Sequence, residues 1–180
     1  MSRRIYIVLA MFIVLCGRAF PAHAQQSQQE ILDTLNNTLQ TLSFSRQNPS
    51  SRNENLNNSY QFAVSDNRLI ITYQEEFIFF RGEEMLDKYS ETGTYSAPLD
   101  LLSNASVSPF AQTQGIAIIC NDKEKCFTQE SSGQYEKNGW IAPHNYSKSS
   151  HRINLDLPED LIGPTIDLLQ DLLYPSDIKD

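Results

Sequence analysis

In the N-terminal part of the chain the apolar positions Ile31, Leu35, Leu39 and Leu42 recur at intervals of four, four and three, with Leu32 beside them. This is one stripe of an amphipathic helix that needs a surface to lie on. Ser27-Gln28-Gln29-Glu30 has the form of a capping box, so the spacing predicts that the helix starts there. Residues 48–55 then offer almost nothing to bury, and a polar loop is expected over about 45–58. From Tyr60 the period becomes two. Tyr60, Phe62 and Val64 alternate with polar or small residues, Asp66-Asn67 makes a turn, and Leu69, Ile70, Ile71 and Tyr73 return as a second strand. Gln74-Glu75-Glu76 reads as a tight connection to a third strand at residues 77–80. Glu83, Glu84, Asp87 and Lys88 read as a solvated loop, and residues 92–97 as a fourth strand.

The later strands are organised around residues 115–127. Ile116, Ala117, Ile118 and Ile119 form a short apolar run, as in a strand buried on both faces. A polar tip at 121–125 follows, with Cys120 and Cys126 on either side enclosing five residues. The expectation is a β-hairpin stapled by a disulfide, since paired strands hold opposite α-carbons at about 4.5 to 5.5 Å, within a disulfide's reach. Two cysteines with no histidine nearby fall short of a zinc site's four ligands, and the spacing is not that of a Cys-x-x-Cys redox motif. Residues 98–103 read as a crossing segment and residues 105–110 as a strand. Residues 131–150 hold Gly133, Gly139, Pro143 and the single tryptophan, Trp140, and read as a long loop. A strand at 151–157 leads to a helix with Pro158 at its first position, interrupted at Gly163-Pro164 and stopped before Pro175, and then to a polar tail at 176–180.

The predicted architecture is α+β: an N-terminal helix, an antiparallel meander of about six to eight strands, and a closing C-terminal helix. In element order alone, the meander and closing helix resemble the pleckstrin-homology-like fold over roughly residues 60–174, with the N-terminal helix as an addition. Residues 1–24 read as a cleaved secretory signal: basic Arg3-Arg4, an apolar run from Ile5 to Cys16, and small residues at Ala22 and Ala24. That run is too short for a membrane span, so the remaining single domain, 25–180, is expected to have none.

Export changes the charge and the cysteine count. All 22 acidic residues follow Ala24 while Arg3, Arg4 and Arg18 precede it, so 14 basic residues become 11 and the net charge goes from −8 to near −11. That balance disfavours nucleic acid, and no nucleic-acid partner is expected. Three cysteines become two, which suits a periplasmic or secreted protein with one disulfide. Asn36, Asn57, Asn104 and Asn145 head Asn-x-Ser/Thr sequons that would count only in a eukaryotic source.

Candidate chemistry is sparse. No phosphate loop, metal motif or nucleophile elbow is present, and no cofactor or metal is expected. Tyr135, Trp140, His144 and Tyr146 are the candidate binding surface, with Trp140 more readily read as a lid over the sheet edge. The acidic clusters at Glu75-Glu76, Glu83-Glu84 and Asp156-Glu159-Asp160 read as solvated surface, as do His144 and His151. The function expected is a non-enzymatic binding module for a protein or peptide, engaged through the sheet edge or the 131–150 segment. The alternatives are a small-molecule or lipid carrier with a cavity between sheet and helix, and a hydrolase using His144 or His151 with a carboxylate.

Overall fold

The computed structural model describes residues 20–47, 53–103, 105–110, 114–120 and 125–174. In chain order the elements are α1 (Phe20–Leu39), β1 (Leu42–Gln47), β2 (Asn53–Ser65), β3 (Arg68–Arg81), β4 (Glu84–Pro98), the single turn α2 (Leu99–Leu102), β5 (Ser106–Pro109), β6 (Gly115–Ile119), β7 (Phe127–Lys137), β8 (Trp140–Ser150), β9 (Arg152–Asp156) and α3 (Glu159–Leu173). The strands form two antiparallel sheets. The larger has the order β1-β2-β3-β4-β7-β8, and the smaller is β5-β6-β9. The α+β class stands, with the expected single meander divided in two.

Alternation decides which sheet each strand enters. β2 buries every second residue from Glu54 to Phe62, and Leu69, Ile71 and Tyr73 continue that face on β3. β6 is instead buried on both faces and lies between β5 and β9. Leu32, Leu35 and Leu39 of α1, Leu169, Leu172 and Leu173 of α3, and Ile116, Ile118, Ile153 and Leu155 of the small sheet all pack against the apolar end of the large sheet. Fully burying a side chain of this kind is worth about 1.5 to 3 kcal/mol.

Cys120 and Cys126 do lie at disulfide-bonding distance, their α-carbons 6.2 Å apart, but they do not staple a hairpin. The strand before Cys120 pairs with β5 and β9, whereas the strand after Cys126 pairs with β4 and β8, so the bond ties one sheet to the other. The tip at residues 121–124 lies outside the described residues. The loop expected at 131–150 is most of a hairpin, closed by Asn138-Gly139 with both residues at positive φ. That is the turn a two-residue hairpin favours, and β4 supplies the ladder partner that a Ser- and Gly-rich strand needs.

The polar loop at 45–58 is likewise strand except at residues 48–52, which lie outside the described residues. Ser43 donates to Asn57 Oδ1 at 2.9 Å and Ser45 to Asn55 Oδ1 at 2.7 Å, so side-chain amides and hydroxyls bind these polar strands together. Residues 74–76 and 83–88 form no separate connections beyond the turn at Gly82-Glu83, because β3 and β4 run continuously past them. α1 begins seven residues before Ser27, so the capping box lies inside the helix; Pro21 falls in the first turn, where a missing N–H is tolerated. α3 runs from Glu159 to Leu173 with Pro164 inside it, so Gly163-Pro164 does not end the helix. Residues 1–19 of the signal segment, the sequon at Asn104 and the tail at 176–180 lie outside the described residues. Among the described residues no helix is long and apolar enough to cross a membrane.

Candidate functional site

Residues paired across an antiparallel sheet share a face, so the registers assemble rows of side chains over the inner surface of the large sheet. One row reads Asn58, Glu75, Glu91, Gly133, His144 from β2 to β8; the row on one side reads Tyr60, Tyr73, Gly93, Ser131, Tyr146. On the other side lie Phe77, Tyr89, Tyr135 and Ala142. The two glycines are needed where they stand. A Cβ at position 93 would lie 2.7 Å from the Tyr73 hydroxyl, and one at 133 would lie 2.8 Å from Cε1 of His144. Both side chains therefore lie across the sheet and converge on Glu91.

Glu91 is 4% exposed. Its carboxylate accepts from the hydroxyls of Tyr73 and Tyr89, from Tyr146 at 3.0 Å, and from Nε2 of Gln129 at 3.2 Å. Nε2 of His144 lies 3.2 Å from the same carboxylate and 3.3 Å from the Tyr89 hydroxyl. Burial pushes the Glu91 pKa up, but the hydrogen bonds from Tyr73, Tyr89, Tyr146 and His144 outweigh it and the carboxyl ends below its ordinary value. Burial, followed by the neighbouring Glu91, raises the Tyr73 and Tyr89 hydroxyls well above theirs. Each group is thereby held in the form it already has at neutral pH.

Opposite Glu91 on β3, Glu75 accepts from Tyr60 at 2.7 Å and is pushed up to about 7. Burial is the main cause, the Tyr60 hydrogen bond opposes it, and the charges of Asp156 and Glu91 add to it.

Rings continue the cluster to the sheet edge. His144 stacks on Tyr89 at 5.3 Å and on Tyr146 at 6.0 Å between centroids, and Lys148 Nζ lies 4.9 Å from the centre of Tyr146. At the other end Phe77 tilts against Tyr89 at 6.1 Å with the Arg46 guanidinium over it. Of the residues expected to form a binding surface, His144 and Tyr146 come together here, with Tyr135 half-buried in the adjoining row. His144 is therefore no ordinary surface residue. Trp140 is not a lid over the sheet edge: it sits just past the Asn138-Gly139 turn and is 65% exposed. His151 is exposed between β8 and β9, and its carbonyl accepts from the Cys120 N–H at 2.8 Å.

Glu75 and Asp87 also correct the picture of carboxylates as solvated surface. Asp87 and Glu91 are buried and Glu75 is half-buried, because β3 and β4 carry them inward at alternate positions. Reading the strand back from Thr92 would have placed Tyr89, Glu91 and Tyr95 on one face.

On the opposite face lies a shallow trough of about 920 Å³, lined mostly by uncharged polar side chains such as Gln61, Thr72, Gln74, Thr92, Asn145 and Ser147, with Glu130 among them. It runs out to β8, the last strand of the sheet, whose far edge pairs with no strand among the described residues.

The turn fixes which backbone groups of β8 face that edge. In a two-residue hairpin the flanking pair, Lys137 and Trp140, is hydrogen-bonded, so every even residue of β8 bonds to β7 and every odd one points outward. Pro143 fits this parity, occupying a position where the ladder to β7 needs no donor. The same parity governs β2, where the outward N–H and C=O of Phe62 are both taken by the Asn36 side chain, at 2.6 and 3.0 Å. Asn145, Ser147 and Ser149 have exposed side chains and outward-facing backbone.

Comparison with known proteins finds no protein family, no curated protein and no solved structure that matches the chain.

Proposed function

We propose that the chain is an exported, non-enzymatic interaction module that captures an extended segment of a protein or peptide by adding it as a strand to β8. The observation that carries this reading is the open edge: Asn145, Ser147 and Ser149 turn their backbone N–H and C=O groups away from β7. The trough beside it supplies polar side chains over which the outer face of an added strand would lie. Export is supported by the basic and apolar start of the chain and by a cysteine pair suited to an oxidising compartment. No part of the reading rests on the pleckstrin-homology-like layout.

The hydrolase alternative has its strongest support in His144 beside Glu91. What counts against it is the protonation of the cluster, since hydroxyls driven up and a carboxyl driven down are poor nucleophiles and poor bases. The carrier alternative draws no support from α3, where Leu169 and Leu172 are packed into the core.

The test is Ser147→Pro, which deletes an outward donor while leaving the ladder to β7 whole. Wild-type chain carrying a photo-crosslinker at Ser149 should capture partners from envelope or medium extracts, and the proline variant should capture almost none. Equal capture by the two, or turnover of a substrate in an activity screen without capture, would sink the proposal.

A further inference from the structure

Although the chain carries 22 acidic and 14 basic residues, no Asp or Glu occurs between Glu136 and Asp156, the segment that holds the whole of β8. Lys137, Lys148 and Arg152 lie in that segment, together with His144 and His151. Lys137 is engaged by Asp87 at 3.8 Å. The Arg152 guanidinium lies 4.0 Å from the centre of the Phe110 ring and donates to Asn154 at 2.6 Å, both uncharged partners. Lys148 is exposed, has only the Tyr146 ring beneath its ammonium, and forms no salt bridge among the described residues. In an acidic protein, the open edge strand β8 therefore carries one lysine and no carboxylate.

Lys148 lies next to Ser147, on the inner face of β8. A strand that pairs its backbone with Ser147 places its two flanking residues opposite Tyr146 and Lys148, with Cβ atoms about 4.5 to 5.5 Å apart. A carboxylate opposite Lys148 would meet an ammonium that forms no salt bridge among the described residues, and the cation would then lie between ring and carboxylate. A lysine or arginine at that position would meet a like charge.

We infer that the segment taken up by β8 is acidic, with an Asp or Glu opposite Lys148. This rests on the strand-addition reading and adds the chemistry of the partner to it.

Three blocked decapeptides share one Thr/Val strand frame and differ only in bearing Glu, Gln or Lys at alternate positions. Each is titrated by fluorescence anisotropy against the full chain, Ser147→Pro, Lys148→Gln and Lys148→Glu. At low salt the wild type should bind the Glu peptide about two- to fivefold tighter than the Gln peptide, the range of one exposed ion pair, and the Lys peptide weakest. Lys148→Gln should level the series and Lys148→Glu should reverse it, and the preference should shrink as salt is raised. Equal binding of all three peptides by the wild type, with loss in Ser147→Pro, would overturn the acidic preference and leave strand addition standing. If no peptide binds, or Ser147→Pro binds as the wild type does, both fall. Far-ultraviolet circular dichroism and thermal melts of each variant against the wild type separate lost binding from lost fold.

Discussion

Replacing Glu75 with glutamine should change how the stability of this protein depends on pH. Glu75 and Glu91 face each other across β3 and β4, and the two carboxyls are driven in opposite directions, Glu91 below its ordinary value and Glu75 up to about 7. A carboxyl whose folded pKa lies above its unfolded one binds its proton more tightly in the native state. Its stabilising contribution is therefore fully present below the unfolded value and disappears as pH rises through the folded one. For Glu75 that window runs from about 4.5 to about 7. A rise of that size sets a ceiling of about 3 kcal/mol, and the solvent contact Glu75 retains brings the expected effect to about 1 to 2 kcal/mol. Glutamine has nearly the same shape and no charge at any pH. Urea unfolding at pH 5 and pH 8.5 should show the wild type losing about 1 to 2 kcal/mol more than Glu75→Gln over that interval. Other titrating groups are common to both proteins and cancel in the difference. Parallel pH profiles for the two proteins, or a wild type that gains on Glu75→Gln as pH rises, would refute the reasoning.

Glu91→Gln should cost about 2 to 4 kcal/mol at pH 7 by denaturant unfolding, because tyrosine hydroxyls that bonded a buried charge are left with a neutral amide. With the Glu91 pKa lowered, its contribution is present above the ordinary carboxyl range and is lost as pH falls, so the variant's deficit should narrow in acid. Replacing both Cys120 and Cys126 with serine should lower stability by about 1 to 3 kcal/mol and leave a folded domain. Protein isolated without reductant should gain the mass of two hydrogens on reduction, and two free thiols before reduction would contradict the bond. Trp140→Ala should shift stability by no more than about 0.5 kcal/mol, as fits an exposed residue at a hairpin end, and a loss of 3 kcal/mol or more would restore its role as a lid.

What could be read from the sequence was whatever periodicity alone determines. The stripe of Ile31, Leu35 and Leu39, the Asp66-Asn67 turn and the apolar face of α3 all involve near neighbours in the chain. The cysteine pairing was legible for the same reason. The route of the chain through it was not, because β6 and β7 are adjacent in sequence yet bond to partners far from both. The strands missed were the polar ones. Asn53 to Ser59 and Ser131 to Ser150 have the composition of loops and become strands through ladders to β3 and β4 and through cross-strand side-chain bonds such as Ser45 to Asn55. The Glu91 cluster was hidden by the same error, since a strand begun at Thr92 leaves Tyr89 and Glu91 in a loop. His144 and Tyr146 stand out in the sequence as ring side chains near Trp140, whereas nothing local marks Glu91 as their shared partner.

The chain leaves the small sheet after β6, makes the β7-β8 hairpin on the edge of the large one, and returns to the small sheet as β9, which pairs directly with β6. Its two ends meet, with the Cys120 N–H bonded to the His151 carbonyl and Ile119 aligned with Arg152. The strand proposed for recognition thus belongs to a cassette whose entry and exit are joined at one point, with the Cys120 to Cys126 bond at its base. Apart from Gln129, Gly133, His144 and Tyr146, which build the Glu91 cluster, the sequence of such a hairpin can diverge beyond its first residues, and its length can grow by pairs of residues at the tip, without moving α1, α3 or the small sheet. Partner choice and foldability are then separate traits, free to change at different rates in one short chain.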